Sequence, residues 1–361
     1  MRIALLVDPL TLASRGGYHA PALARELIAR GHEVRGFGAP PGRVPHSVEY
    51  NELGGLARYE PDVLVAYDGL SPTAFGAARV ARRQGARLLL VEPGHTREAT
   101  PLHERVLQAV GERLWGPYVR TTADAVVALD PVARDLAVAE GFAPDQVHVQ
   151  PPGVDLTRWR PGTGSSVLRR LGLRGRVVLM HGKLETSVGQ EEAVRAFART
   201  GGQHPDWTLA ISGDGAGRTA LRRVVERQGV AASVRWLNDV DRQDLPGLFA
   251  AATLFLAPAV DERRSARHVV RALASGVPVL ASDVGRFRWA VADDHDGLLV
   301  PAGEGPSTEA WEAALTRAMQ APAARERWGK DARAWAEKNL DWRVITDAFE
   351  ALMLPDESEA A

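Results

Sequence analysis

The chain contains no cysteine among its 361 residues. This absence excludes disulfide bonds, zinc-thiolate sites and catalysis by a thiol. An apolar run of about 20 residues is also missing, so we expect no transmembrane helix. Met1 leads directly into the apolar stretch Arg2 to Val7 without a charged leader, and we therefore expect no signal peptide. Together these absences predict a cytoplasmic protein.

A basic excess is missing as well. The 44 lysines and arginines stand against 45 aspartates and glutamates, which gives a formal net charge of -1. Proteins that track nucleic-acid phosphates usually carry a clear positive excess, so this balance argues against a nucleic-acid partner. With 45% hydrophobic and 25% charged residues, the chain is an ordinary globular protein, long enough for two hydrophobic cores.

The most informative stretch runs from Leu254 to Pro301. An apolar strand is predicted at Leu254 to Ala257, followed by a helix that begins near Ser265 and stops at Gly276. Further strands are predicted at Pro278 to Ala281 and at Leu298 to Val300. This order is typical of a βαβ unit in a parallel sheet. In such sheets ligands lie outside the carboxyl ends of the strands, against helix N-termini.

Strand and helix patterns alternate along the rest of the chain and divide it into two domains. The opening RIALLVD is a buried parallel-strand pattern of the kind that begins a Rossmann-like domain. The turn-rich passage Pro151 to Pro161 ends this first domain, which we predict to comprise residues 1–162. The alternation restarts in a second domain, residues 163–341. A last helix is expected within residues 342–357.

The second half resembles glycosyltransferase family 4, a large family of retaining nucleotide-sugar glycosyltransferases. In that family a Glu-x7-Glu loop and helix precede the motifs "EALASG-PV-A-D-GG" and "GLLVP". The residues that match are Ala272 to Gly276, Pro278, Val279, Asp283, Gly285 and Gly297 to Pro301. The resemblance covers nearly the whole chain and implies the α/β fold named GT-B, two Rossmann-like domains facing across a cleft. It also implies an acceptor in the first domain, a nucleotide-sugar donor in the second, and a C-terminal helix that joins the first domain.

The paired glutamates of the family are replaced. Counting back from Ala272, the two positions of Glu-x7-Glu hold Arg263 and Arg271. Glu262 lies one residue outside that register. The resemblance therefore comes with a degenerate Glu-x7-Glu motif.

Other donor-contacting positions of the family are changed too. The family clamps the donor diphosphate with an arginine and a lysine, and these positions hold Lys183 and Val188. Lys183 keeps the charge without the bidentate fork of arginine, and it faces either a diphosphate or solvent. Trp289 stands where the family carries another glutamate. Its ring either stacks on a base or sugar or packs in the core.

The arginines allow three interpretations. The helix is expected to begin between them, at Ser265 and Ala266, where backbone amides favour an anion. Arg263 at this entrance would strengthen phosphate binding and compensate for Val188. Alternatively, Arg263 and Arg271 bind a donor with an extra acidic group, or they belong to a solvated basic helix face. We assign Arg263, Ser265, Ala266 and Arg271 to the binding of the donor phosphates.

The chain has two glycine motifs, and only the first is assigned to donor binding. Gly16 and Gly17 follow the first strand, where glycine lets backbone amides approach a diphosphate, and the alternative is a plain tight turn. The family has a glycine-rich loop at this place, so we assign both to donor binding. The stretch Gly213 to Gly217 looks like a dinucleotide loop. No acidic residue follows at the expected distance, so it predicts only a turn.

His95 follows a strand of the first domain, and the resemblance implies a histidine in this neighbourhood that approaches the reacting sugar. We assign His95 a catalytic role. His103 competes for that role, and a lone loop histidine is often a surface residue.

Three functions are compared on these grounds. The leading one is a metal-independent, retaining transfer of sugar from a nucleoside-diphosphate sugar to an acceptor, without a cofactor. No Asp-x-Asp pair stands at a strand end, which weakens the need for a metal. The second is a catalytically inactive scaffold or activator of an active transferase. The third, an isomerase, has no supporting motif. The acceptor stays open among glycans, lipids and small molecules, and so do a peripheral membrane contact and a protein partner.

Overall fold

The computed structural model describes residues 1–7, 19–38, 50–51, 53–69, 71–94, 110–186, 188–238, 240–261, 265–302, 305 and 307–354. The chain divides into two compact units. The first unit is Met1–Gly153 with Trp342–Ala361, and the second is Val154–Asp341. Each unit is built on one sheet of parallel strands, so the expected α/β class is confirmed.

The first unit carries a seven-stranded sheet in the order β3-β2-β1-β4-β5-β6-β7. Its strands are β1 Arg2–Leu6, β2 Glu33–Phe37, β3 Tyr50–Asn51, β4 Val63–Tyr67, β5 Arg87–Glu92, β6 Ala125–Ala128 and β7 Val147–Val149. Its helices are α1 His19–Ala29, α2 Leu56–Tyr59, α3 Pro72–Gln84, α4 Gly116–Thr122 and α5 Pro131–Ala139. Residues 110–114 are also helical.

The second unit carries a six-stranded sheet in the order β10-β9-β8-β11-β12-β13. Its strands are β8 Arg176–His181, β9 Trp207–Ser212, β10 Val234–Leu237, β11 Leu254–Ala257, β12 Val279–Ser282 and β13 Gly297–Val300. Its helices are α6 Ser165–Arg170, α7 Gln190–Arg199, α8 Arg218–Arg227, α9 Leu245–Ala250, α10 Arg267–Ala274, α11 Gly285–Arg288, α12 Thr308–Gln320 and α13 Pro322–Asn339.

The central strands are buried on both faces, as parallel strands with helices on either side must be. In β4 all five residues are buried, and β11 is buried throughout. Because successive side chains point to opposite faces, each sheet separates two apolar clusters. This covering of both faces leaves the strand ends as the places where polar groups can gather.

The C-terminal helix α14, Trp342–Met353, packs on the sheet of the first unit. Trp342, Ile345 and Phe349 lie in one apolar cluster with Ile3 and Leu5. The helix ends at Met353, and residues 355–361 lie outside the described residues.

The division between the units falls after Gly153, earlier than the Gly162 expected from the sequence. The reason lies in the contacts of the turn-rich passage. Val154 does not belong to the first sheet. Its backbone amide donates a hydrogen bond of 2.7 Å to the carbonyl of Leu340. Trp159 is buried in a core cluster of the second unit. Residues 154–162 therefore fold with the second unit.

Candidate functional site

The strand order of the second unit reverses between β8 and β11. Chain connections leave these neighbouring strands toward opposite sides, which opens a crevice at their carboxyl ends. His181 is the last residue of β8, and Ala257 is the last residue of β11. Both lead into the loops that carry the predicted donor-binding residues of this unit.

Two glycine loops pack against each other beside His181. A Cβ on Gly213 would overlap the carbonyl oxygen of Gly182, and a Cβ on Gly215 would overlap that of Leu184. The amide of Leu184 donates to the carbonyl of Asp214 at 2.9 Å. The Gly213 to Gly217 motif is therefore used for a close contact between backbones.

Lys183 lies on the first of these loops. Its side chain is 74% exposed, and Nζ lies 2.7 Å from a carboxylate oxygen of Glu185. The side chain of Gln190, which is 2% exposed, is hydrogen-bonded to the backbone of this loop. Its amide nitrogen donates to the carbonyl of Lys183 at 3.1 Å, and its oxygen accepts from the amide of Glu185 at 3.0 Å. The loop backbone is thus held by Gln190, while the ammonium group is exposed and paired with Glu185.

His181 and His268 form a pair at the strand end. Their ring centroids lie 4.6 Å apart in an edge-to-face arrangement. Nδ1 of His181 lies 3.1 Å from Oγ of Ser212, within hydrogen-bond distance. Burial lowers the pKa of His181 to about 4, with further lowering by the charges of Arg271 and Arg267. His181 is therefore neutral at physiological pH.

Helix α10 brings its first turn to the same place. Oγ of Ser265 accepts a hydrogen bond of 3.2 Å from the amide of Arg267, and Ala266 is buried at the helix entrance. The imidazole of His268 covers the backbone of Gly182, where a Cβ would stand 3.3 Å from the ring. The structure thus brings the Lys183 loop and the Ser265 entrance together. Arg263 and Glu262 lie outside the described residues.

Arg271, one helical turn further along, stacks on an aromatic ring. Its guanidinium carbon lies 4.7 Å from the ring centroid of Trp159. A cation over the face of tryptophan is attracted by the ring quadrupole, so this contact fixes the guanidinium. Val188, at the second clamp position, is buried, with only 7% of its surface exposed.

Trp289 packs against Trp335 with ring centroids 5.8 Å apart. Its Nε1 is buried and has no hydrogen-bond partner in the described part of the chain. Of the two roles considered for this residue, packing is the one that the structure shows. Nearby, the Arg288 guanidinium is hydrogen-bonded to Asp283 and lowers the pKa of that carboxyl.

The predicted residues of the first unit, Gly16, Gly17 and His95, lie outside the described residues. Two buried titratable groups of this unit are His19 at the start of α1 and Glu92 at the end of β5. Nδ1 of His19 lies 2.7 Å from the hydroxyl of Tyr67, and burial lowers the pKa of His19 to about 3. Glu92 accepts a hydrogen bond of 2.6 Å from the amide of Gly69.

Burial raises the pKa of Glu92 well above its usual range, and the charges of Asp68 and Glu140 add to this effect. The sequence interpretation missed Glu92, His181 and His268. For Glu92 and His181 a signal existed, because each is a polar residue at the carboxyl end of an apolar parallel strand.

Residues 170–335 match the family described as Glycosyl transferases group 1. The D-inositol 3-phosphate glycosyltransferase of Rhodococcus jostii (strain RHA1) is 30% identical over 256 residues, which are 68% of this chain and 55% of that protein. The protein of the same name from Jonesia denitrificans is 33% identical over 242 residues, 63% of this chain and 56% of that protein. The chain spans about half the length of the curated relatives it matches.

Solved structures share the fold over nearly the whole chain. Anabaena Alr3699/HepE in complex with UDP has a TM-score of 0.79 at 17% identity and covers 97% of this chain and 99% of its own. A glycosyltransferase from Rickettsia africae ESF-5 has a TM-score of 0.81 at 13% identity, covering 98% of this chain and 97% of its own. At these identities the likeness shows the fold, and the expected GT-B architecture of two Rossmann-like domains is confirmed. The second unit carries a glycosyltransferase group 1 domain.

Proposed function

We propose that the glycosyltransferase group 1 domain takes a nucleoside-diphosphate sugar at the carboxyl ends of β8 and β11, and that this protein transfers the sugar to an acceptor. The observation that carries this proposal is the convergence at the switch point of the second unit. There the Lys183 loop, the His181 and His268 pair and the Ser265 entrance of α10 meet. Open α/β sheets bind their ligands at such points.

Uridine diphosphate is the proposed nucleotide. Alr3699/HepE was solved with UDP, and a further structure of it with UDP-glucose. During transfer the bond between the sugar C1 and the β-phosphate oxygen breaks, and the acceptor oxygen forms a bond to C1. The acceptor proton passes to the departing phosphate. Lys183 would stabilise the charge that grows on that phosphate, exchanging Glu185 for the ligand as it does so.

We further propose retention of configuration without a metal ion, as in the family that the sequence resembles. In a front-side displacement the acceptor enters on the face that the diphosphate leaves. In the described part of the chain no group of three His, Asp or Glu side chains is placed to hold a metal. The positive charges of Lys183, Arg267 and Arg271 would serve instead. Gly16, Gly17, Arg263 and His95 keep their predicted roles, with His95 near the acceptor.

A non-catalytic scaffold is the second candidate, and two contacts and one buried side chain favour it. Arg271 stacks on Trp159, Val188 is buried, and Trp289 packs on Trp335. Positions that bind the donor in the resembling family are thus engaged in packing. A scaffold on this fold would retain the switch-point geometry and transfer nothing.

The two candidates are separated by assaying transfer with purified protein. UDP-glucose, GDP-mannose and UDP-N-acetylglucosamine would be offered with inositol phosphate, free sugars and lipid acceptors, with and without EDTA. The proposal expects release of nucleoside diphosphate in the presence of EDTA, with a product of the donor's anomeric configuration by NMR. Absence of turnover across the panel, together with association of the protein with another transferase, would favour the scaffold.

A further inference from the structure

Two exposed apolar side chains, one helical turn apart, form an apolar strip on the surface of the first unit. Leu114 is 70% exposed and Val110 is 45% exposed. Leu114 has the highest exposure of the large hydrophobic residues in the described part of the chain. The two side chains stand at positions i and i+4, so they share one face of their helix.

Three aromatic rings lie where residues 115–118 meet helix α3. Phe75 stacks on Trp115 with ring centroids 5.7 Å apart, and it meets the ring of Tyr118 edge-on at 5.8 Å. All three are half-buried. Tryptophan and tyrosine have an apolar body and a polar edge, and in membrane proteins they are enriched at the level of the lipid headgroups.

Two of these rings carry an arginine over their faces. The guanidinium of Arg79 lies 6.0 Å from the ring centroid of Phe75, and that of Arg82 lies 5.4 Å from Tyr118. Arg83, which follows Arg82 in the chain, and Arg113, which precedes Leu114, are also exposed. Within the described residues none of these four arginines forms an ion pair, whereas Arg120 is neutralised by Glu112 at 2.7 Å. Helix α3 contains no acidic residue at all.

We propose that this surface, the outer face of α3 and of residues 110–118, binds an anionic lipid surface. Leu114 and Val110 would enter the boundary between headgroups and acyl chains. The four arginines would lie against the lipid phosphates, where positive charge is attracted to the negative potential of the membrane. Because the chain as a whole has a formal charge of -1, the positive charge is a property of this face.

The chemistry favours lipid over a protein partner. A stable protein interface buries about 800 Å² on each partner around an apolar centre. This face carries two exposed aliphatic side chains and four arginines without an ion pair to any described residue, and the like charges repel a second copy of the same face. A lipid surface needs only shallow insertion and charge. Within the described residues no helix is long and apolar enough to cross a bilayer, so the contact is peripheral.

The test is flotation of the full chain with vesicles of phosphatidylcholine alone or mixed with phosphatidylglycerol. Binding is expected only to the anionic vesicles and should fall as salt is raised. Leu114→Ser should lower the partition coefficient about tenfold. The triple variant Arg79→Gln, Arg82→Gln and Arg83→Gln should lower it roughly a hundredfold.

The matched control is the double variant Arg25→Gln and Ile28→Ser on α1, where Ile28 is 42% exposed. It should bind vesicles like the wild type, and UDP binding should be unchanged in every variant. If the proposed donor site were wrong, the protein would not bind UDP but would still bind the vesicles. Equal binding to neutral vesicles, an equal loss in the control, or concentration-dependent dimerisation without vesicle binding would each overturn the lipid proposal.

Discussion

The imidazole of His268 stands edge-on to that of His181, with ring centroids 4.6 Å apart, and also covers the backbone of Gly182. His268 belongs to the first turn of α10, and His181 ends β8. The pair therefore ties the entrance of the helix to the strand end at the switch point. Gly182 and the first turn of α10 are thereby held next to each other.

The buried ring of His181 predicts a loss of stability in acid. Its folded pKa of about 4 lies below the ordinary value of 6.5. The stabilisation is therefore fully present above pH 6.5 and is lost as the pH falls toward 4. By this linkage it amounts to about 3 kcal/mol. In His181→Asn, which keeps a polar atom near Ser212, the urea midpoint should change less between these pH values.

Tryptophan fluorescence can follow this transition, since seven of the nine tryptophans lie in the second unit. The exposed His204→Asn variant is the control. A pH dependence in His181→Asn equal to that of the wild type would show that the buried ring does not cause the acid loss.

In the second unit, the strands at the switch point were predicted well from the sequence, and the side-chain contacts were predicted poorly. The apolar run Leu254 to Ala257 forms β11 as expected, because a continuous buried run suits a strand covered on both faces. The contact of Arg271 with Trp159 was not predictable. The two residues are far apart in the chain, and only the packing of α10 brings them together. Periodicity indicates which face of a helix is buried but not which ring lies opposite.

Glu92 predicts the opposite pH dependence in the first unit. Its folded pKa is raised, so its contribution to stability is fully present below the ordinary value of 4.5 and is lost as the pH rises through the folded pKa. Glu92→Gln can still accept the hydrogen bond from Gly69 and carries no charge beside Asp68 and Glu140. Its thermal unfolding temperature should exceed that of the wild type at alkaline pH.

The exposed Glu60→Gln variant, in the same unit, is the comparison for Glu92→Gln. If Glu92→Gln were less stable than the wild type at alkaline pH, the buried carboxylate would have to be ionised and satisfied in the native state.

Two glycine substitutions should act in opposite directions. Gly215 has φ of +152° and no room for a Cβ beside Leu184, so Gly215→Ala should lower the free energy of unfolding by about 1–3 kcal/mol. Gly76 lies inside α3 with open space around it, and Gly76→Ala should raise the free energy of unfolding by about 0.5–1 kcal/mol. Urea denaturation measures both. Equal effects of the two alanines would contradict the tight contact between the two glycine loops.

Restoring the glutamates of the resembling family should impair this protein. Arg271→Glu loses the stack on Trp159 and places a negative charge near the departing diphosphate. Donor hydrolysis and transfer should fall at least about tenfold, and further in the double variant with Arg263→Glu. Arg271→Lys, which keeps the charge, should lose less. Activity that survives in the double glutamate variant would refute the compensating role of the arginines.

The central claim, that the Lys183 loop binds a nucleoside diphosphate, is tested most directly by calorimetric titration of UDP. Two lysines make a matched pair: Lys183 and Lys330 are both 74% exposed, with carboxylate contacts of 2.7 and 2.8 Å. Lys183→Ala should weaken UDP binding by about 1–3 kcal/mol, the usual effect of losing a charge-assisted contact. Lys330→Ala should leave the dissociation constant unchanged. The claim is contradicted if the wild type does not bind UDP, or if both variants bind it with the same affinity.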